Sequence, residues 1–260
     1  MNAASVGAER AARAPRRWLA ALACVAVLGL SACASGPAAD PRDPFEPYNR
    51  GMTRFNDAVD DVVLKPVATA YRDVVPSPLR SGVGNFFGNL AEVWTFANNV
   101  LQLKGMAAAE SFTRVGVNTV FGFAGVLDIA SEMGLESRRE DFGQTLGRWG
   151  VPSGPYLVLP LLGPSTVRDT AALPVDVKGN LVSSVDDVAT RNSLTALNAV
   201  DTRAQLLRAG DLLDQAALDP YSFKRDAFLQ KRRNDVYDGT PPDEPAAPDP
   251  DAAPVAPAQK

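Results

Sequence analysis

Nineteen consecutive residues, 149–167, carry no charged side chain, yet they contain Pro152, Pro155, Pro160 and Pro164 together with Gly150, Gly154 and Gly163. Proline removes a backbone donor and its ring collides with the preceding helical turn, so four of them forbid a continuous helix here. At membrane depth, broken backbone is tolerated only where protein or a water-filled cavity satisfies its polar groups. A membrane-immersed body built on this segment therefore needs an interior cavity, whereas a soluble body needs only a packed loop.

Two further windows are depleted in charge. Between Arg80 and Lys104 the only charged residue is Glu92. Apolar residues recur there at Phe86/Phe87, Leu90, Val93/Trp94, Ala97 and Val100/Leu101, the spacing of a helix face. Asn89, Glu92, Asn99 and Gln102 line the other face, with Thr95 and Asn98 on its borders. That face is too polar for a helix surrounded by lipid and too weakly charged for one facing water. The plainest reading is a buried helix with a hydrogen-bonded Asn stripe in a soluble core. The second window, 115–127, is uncharged and loosened by Gly116, Gly122 and Gly125, and its thirteen residues are too few to cross a bilayer as a helix. Trp94, Trp149 and Tyr156 suit the headgroup level of a membrane, although a protein core is the commoner place for such rings.

The first residues read as an export signal. Arg10, Arg13, Arg16 and Arg17 precede an uncharged apolar run at 18–30. A helix of that length spans about 20 Å, short of the roughly 30 Å hydrocarbon core. Leu30-Ser31-Ala32-Cys33 then resembles the lipobox of bacterial lipoproteins, which makes Cys33 the expected lipid-attachment site. Ala34 in place of Asp favours the outer membrane by the same resemblance to lipoprotein sorting signals. Each buried methylene contributes about 0.8 kcal/mol, so two or three acyl chains hold the protein effectively permanently, facing the periplasm. Loss of 1–32 leaves 22 basic against 29 acidic side chains, which makes nucleic acid an unsuitable partner. The expected organisation is a signal peptide at 1–32, a lipidated tether at 33–42, a folded body at 43–238 and a Pro/Ala-rich tail at 239–260 that has too little apolar surface to order itself.

Several chemistries are excluded by composition. The chain has no histidine, which removes Ser-His-Asp and Cys-His catalysis and His-ligated metals. Its two cysteines are Cys24, inside the signal, and Cys33. Ser153 lies outside any G-x-S-x-G elbow, and Gly82-Val83-Gly84 lacks the third glycine of a dinucleotide fingerprint. No catalytic residue, metal ligand or cofactor is expected. The acidic pairs Asp60-Asp61, Glu140-Asp141 and Asp186-Asp187 read as solvated surface, as does the basic run Lys231-Arg232-Arg233. Late in the body the pattern is helical: Asp219-Pro220 is an N-cap followed by proline at the first helical position, and Leu206, Leu207, Leu212 and Leu213 mark an amphipathic helix with Asp201 near its start. No regular strand alternation extends beyond a few residues.

Longer patterns carry a family resemblance. Asp43-Pro44-Phe45-Glu46-Pro47-Tyr48-Asn49-Arg50 opens the body, and Gly125-Val126-Leu127-Asp128-Ile129-Ala130 follows the second window. The stretch from Phe142-Gly143-Gln144-Thr145-Leu146-Gly147 through Gly154-Pro155-Tyr156 to Arg168-Asp169 is the most specific, and Thr202-Arg203-Ala204-Gln205 and Asp219-Pro220-Tyr221 also fit. Together these resemble the MlaA (VacJ) family of outer-membrane lipoproteins over essentially the whole body.

The resemblance implies a mainly α fold: amphipathic helices forming a membrane-embedded ring or horseshoe around a central channel, with Pro/Gly-broken loop segments. It implies a non-enzymatic role, the removal of mislocalised phospholipid from the outer leaflet and its delivery to a soluble, MlaC-like periplasmic carrier, beside an outer-membrane porin trimer. A phospholipid with about 30 methylenes would lose roughly 24 kcal/mol on entering water alone, so a route amphipathic along its length lowers a large barrier. On this reading Asn89, Asn99 and Gln102 are candidates for lipid contact, and Gly122, Phe123, Gly125 and Leu127 for a flexible gate. The rival readings are a periplasm-facing scaffold lipoprotein that assists porin or envelope assembly and a lipid hydrolase with an unrecognised site.

Overall fold

The computed structural model describes residues 40–216 and 218–243. The segment read as a signal peptide, 1–32, the expected attachment site Cys33 and the part of the expected tail beyond 243 lie outside the described residues. The fold is mainly helical. Helix α1 (Glu46–Val59) opens with Glu46 and Pro47, an acid where the helix N-terminus is positive and a proline where its missing N–H costs nothing. A single π-helical turn, Asp60–Leu64, joins it to α2 (Lys65–Val74), and the extended Val75 before Pro76 ends that rod. Helices α3 (Ser77–Leu101) and α4 (Gly105–Val120) form an antiparallel hairpin, the most extensive helix pairing in the molecule. Two short helices follow, α5 (Ile129–Glu132) and α6 (Phe142–Arg148), capped by the side chains of Asp128 and Asp141.

The proline-rich window contains no long helix, as expected, but it does contain strands. β1 (Tyr156–Leu159) and β2 (Gly163–Thr166) pair antiparallel with Tyr156 opposite Thr166. In a two-stranded ribbon both strands are edges, so Pro164 is tolerated within β2. Thr166 then caps α7 (Val167–Gly179), and a 3-10 turn (Leu181–Ser184) leads to α8 (Val188–Ala216). That helix begins well before Asp201, the start suggested by the sequence. Asp187 accepts the Thr190 amide at 2.6 Å and supplies the terminus, leaving Asp201 in the middle and buried. Helix α9 (Pro220–Val236) is capped by Asp219 as expected.

A small conventional core forms where Tyr156, Val158 and Tyr221 pack with Met52, Phe228 and Leu229. Elsewhere the burial pattern is reversed. Among the described residues, nineteen polar or charged side chains are buried against eleven hydrophobic ones, whereas a water-soluble domain hides its apolar residues first. On α3 five of the seven buried residues are polar, with Thr95, Asn98 and Asn99 at 1%, 0% and 2% exposure beside buried Gly82 and Phe87, while Leu79, Val100 and Leu101 are exposed. On α4 the buried stripe is Ala108, Ser111, Arg114 and Asn118, and Met106, Phe112 and Val120 face outward. The helix hairpin is apolar outside and polar inside.

Candidate functional site

Because polar groups buried without partners are costly, the inward faces of α3 and α4 must hydrogen-bond one another and the loops they cover. Asn99 donates to the Ser111 hydroxyl at 3.2 Å, and Asn89 to the Thr119 hydroxyl at 3.1 Å. Gln102 donates to Glu140 at 2.8 Å and to Thr145 at 3.1 Å, and Thr145 in turn donates to Asn98 at 2.8 Å. The asparagine stripe thus holds α4, α6 and the 136–141 loop against α3.

At the other end of the stripe the packing opens into a cavity of about 1220 Å³. One wall is α3, with Arg80, Gly84, Asn89 and Glu92. Arg114, Asn118 and Asp128 also line the cavity, and α8, packed against α3 at Gly84, contributes Asp201, Gln205 and Arg208. Arg114 and Asn118 stand one turn apart on α4 and both reach Asp128: Arg114 Nη2 donates to its two oxygens at 3.1 and 3.2 Å, and Asn118 Nδ2 to Oδ1 at 2.9 Å. Burial pushes the Asp128 carboxyl up, but hydrogen bonds from Ser131 and Asn118 and the charge of Arg114 hold it below its ordinary value. Glu92 accepts the Ser137 hydroxyl at 2.8 Å and lies 3.6 Å from Arg114 Nε. Asn89 Oδ1, Glu92 Oε1 and Arg114 Nε are buried without a hydrogen-bond partner.

On α8, buried Asp201 accepts from Tyr71 at 3.0 Å and from Gln205 at 2.7 Å. Burial, with the hydrogen bond to Asp201, pushes the Tyr71 phenol up to about 12. Gly84 lets α8 come this close, since a Cβ there would sit 2.8 Å from Gln205 Nε2. Six basic side chains and three acidic ones line the cavity, so its walls are net positive in a chain that is net acidic.

Of the sequence candidates, Asn89 lines this cavity. Asn99 and Gln102 lie further along α3, inside the helix packing, where their side chains bind Ser111, Glu140 and Thr145. Gly122, Phe123, Gly125 and Leu127 occupy the tight turns between α4 and α5. Gly125 has φ +92° and packs on Asn89, with a Cβ there falling 2.5 Å from the Asn89 Cβ, while Phe123 has φ +52° and is 76% exposed. The proline-rich loop borders a different groove, of about 1340 Å³, between 150–155 and α9. Arg114, Asp128, Asp201 and Arg208 were not singled out from the sequence. The available signal was Arg114 with Asn118, a lone charge and an amide one turn apart at the edge of an uncharged window.

Two expectations of solvated charge are corrected. Glu140 is buried, because Gln102 and Lys104 bring donors to it at 2.8 and 3.0 Å. Arg232 turns inward from α9 and forks onto Asp141 with two bonds of 2.6 Å, while its Nε donates to Asp169 at 2.7 Å. Gly143 leaves room for it, since a Cβ there would lie 2.5 Å from Arg232 Nη2. Asp60 is likewise held by Arg203 at 2.7 and 2.8 Å.

A mainly helical fold whose longest helix pair turns polar side chains inward and apolar ones outward beside a large charged cavity defines the class: a helical protein with room for an amphipathic or polar guest. The chain belongs to the MlaA lipoprotein family, whose family model matches residues 41–235. It is 38% identical to the intermembrane phospholipid transport system lipoprotein MlaA of Shigella flexneri and, equally, to that of Escherichia coli K12, over 82% of this chain and 86% of each relative. The corresponding lipoprotein of Haemophilus influenzae is 34% identical over 84% of this chain and 90% of its own length. A solved structure concerned with the maintenance of bacterial outer membrane lipid asymmetry superposes with a TM-score of 0.66 at 34% identity, covering 75% of this chain and 98% of that one.

Proposed function

We propose that this protein is an outer-membrane lipoprotein that removes mislocalised phospholipid from the outer leaflet through its central cavity and passes it to a soluble periplasmic carrier, maintaining lipid asymmetry. The observation that carries the reading is the reversed burial of α3 and α4. Polar side chains turned inward toward a cavity, with Leu79, Met106, Phe112 and Val120 turned outward, suit a body immersed in lipid rather than in water. Among the described residues no helix is long and apolar enough to cross a membrane. Immersion therefore rests on the outer faces of several shorter elements together.

In this reading Cys33 carries the lipid anchor on the periplasmic side, and an outer-membrane porin trimer flanks the body. The headgroup travels along the polar interior while the acyl chains keep to apolar surface, so no bond is made or broken. Asn89 meets the headgroup at the cavity wall, and the turns at Gly122, Phe123, Gly125 and Leu127 adjust the opening beside it. Asn99 and Gln102 support that wall from within the packing.

The test is outer-leaflet phospholipid at the cell surface in a deletion strain, with and without the gene restored. Accumulation reversed by the wild-type copy supports the reading. An unchanged surface in a strain without a second copy of the family overturns it in favour of a scaffold role.

A further inference from the structure

We propose that Arg80, Arg139 and Arg208 form a phosphate-recognition wall in the cavity and take the phosphodiester of a glycerophospholipid headgroup. This deepens the transport reading and rests on it. The argument begins with which charges are already committed. Arg114 is neutralised by Asp128 and Glu92, Arg72 pairs with Asp73, and Lys231 pairs with Asp235. Asp201 accepts from Tyr71 and Gln205, which are neutral donors, so it sets one negative charge against the basic side chains of the wall. Among the described residues Arg80, Arg139 and Arg208 line the cavity with no carboxylate within ion-pair distance, and they account for its positive sign.

All three line the same cavity. Arg80 lies in the first turn of α3, and Arg208 on α8, which packs against α3 at Gly84. Arg139 reaches over α3 at Gly88, its Nη2 3.7 Å from where a Cβ would stand. In the same cavity Arg114 Nε makes no hydrogen bond but lies 3.6 Å from the Glu92 carboxylate, which keeps it among the committed charges. Arginine rather than lysine supplies all three free charges, and the planar guanidinium fork matches two oxygens of one phosphate.

The phosphodiester is common to all glycerophospholipids, so the wall accepts zwitterionic and anionic headgroups alike. A lipid with net negative charge gains most from it, and salt weakens its hold. A diacylglycerol, which has the same chains and no phosphate, gains nothing.

The experiment uses the full-length protein in detergent micelles doped with labelled phosphatidylglycerol, phosphatidylethanolamine or diacylglycerol, with inorganic phosphate as competitor. Wild-type protein is compared with Arg80→Gln, Arg139→Gln and Arg208→Gln singly and together, and with the triple Arg→Lys variant. The expected result is a loss of phosphatidylglycerol affinity of about tenfold or more in the triple Gln variant, the worth of one charge-assisted hydrogen bond, with partial retention in the Lys variant and unchanged diacylglycerol binding. Equal phosphatidylglycerol affinity in wild type and the triple Gln variant overturns the proposal and leaves transport standing. Inorganic phosphate that displaces the lipid at millimolar concentration and binds without it overturns the lipid assignment in favour of a free-phosphate site. Wild-type protein that retains none of the three lipids defeats the transport reading itself. The single variants, at positions open to solvent at the cavity wall, keep the test valid if the triple Gln variant fails to fold.

Discussion

Asn49 and Asp43, six residues apart at the start of the body, are hydrogen-bonded at 2.7 Å, and neither is exposed by more than 2%. The same amide donates to the Tyr156 carbonyl at 3.1 Å, and its oxygen accepts the Val158 amide at 2.8 Å. Asn49 therefore adds itself to the edge of β1 as a side-chain strand. Asp43 takes up the remaining polarity through the Tyr221 hydroxyl and Arg225, so one buried pair joins the N-terminal helix, the hairpin and α9. Arg50 lies over the Tyr221 ring at 4.3 Å and closes the cluster from outside.

Replacing Asn49 with Ala removes three buried hydrogen bonds and leaves the Asp43 carboxylate and two backbone groups of β1 without them. A loss of about 3 kcal/mol is expected, read as a lower midpoint in thermal or denaturant unfolding in detergent. Asn49→Asp costs at least as much, because it sets a second carboxylate against Asp43 and the Tyr156 carbonyl. Stability equal to wild type for both variants would mean that the hairpin is held by its apolar core alone.

Adjacent carboxylates at 140 and 141 respond to pH in opposite senses. Burial would raise Asp141, but the forked Arg232 and the Gln144 amide hold it below its ordinary value near 3.8. Its contribution to stability is complete above that value and is lost as pH falls through the depressed one. Burial raises Glu140 despite Gln102 and Lys104, so its ionisation works against the fold as pH rises from its ordinary value near 4.5 to the raised one. Arg232→Gln leaves the half-buried Asp141 and the more deeply set Asp169 without their guanidinium and is expected to cost about 1–2 kcal/mol at pH 7, with a smaller loss on acidification than wild type shows. Melting curves of the two proteins at pH 7, 5 and 3 measure both effects.

How much of this was legible follows from which interactions are local. Helix α3 could be drawn from its apolar spacing and the Asp219-Pro220 cap from two residues, because periodicity and capping are properties of neighbours in sequence. Which face of α3 turns inward was not legible. An amphipathic helix reads the same whether its apolar side meets a core or a lipid phase, and the choice depends on what α4 and the 136–141 loop bring to Asn98, Asn99 and Gln102. Arg232 and Glu140 were misread as solvated for the same reason: their partners lie 91 residues and about 36 residues away in sequence, at Asp141 and Lys104. The cavity combines α3, α4 and α8, so of its polar wall residues only Asn89 and Glu92 stood out, on the polar face of their own helix.

The turn beyond α4 separates two kinds of glycine. A Cβ at Gly122 would lie 2.2 Å from the Leu127 carbonyl oxygen, and one at Gly125 would combine φ +92° with a 2.5 Å approach to Asn89. At Gly134, φ is +80° but nothing stands within 4 Å. Gly134→Ala is expected to cost about 1 kcal/mol, the backbone term alone. Gly122→Ala and Gly125→Ala must displace backbone or the Asn89 side chain, so they lower the melting temperature further and reduce lipid binding at the cavity. Equal effects at all three positions would show that the contact with Asn89 is immaterial.

Lipid immersion makes a prediction that separates it from lipid tethering. If Cys33 were the whole attachment, Cys33→Ser carrying a conventional cleavable signal would release a soluble body. The outward residues argue otherwise: Leu103 is 91% exposed, and Met106, Phe112, Val120 and Phe121 follow it along the outer side of α4. Apolar surface is worth about 25 cal/mol per Å², so several such side chains together favour a lipid or detergent phase by several kcal/mol. The unlipidated protein is expected to remain in the detergent-rich phase on phase separation. Adding Phe112→Glu and Val120→Glu places two charges on that surface, where each costs about 2–4 kcal/mol at bilayer depth. The double variant should therefore move to the aqueous phase while keeping its helical circular dichroism, because neither side chain belongs to the buried stripe of Ala108, Ser111, Arg114 and Asn118. An unlipidated but otherwise unaltered body found wholly in the aqueous phase would refute immersion and place the reversed burial of α3 and α4 inside a soluble protein.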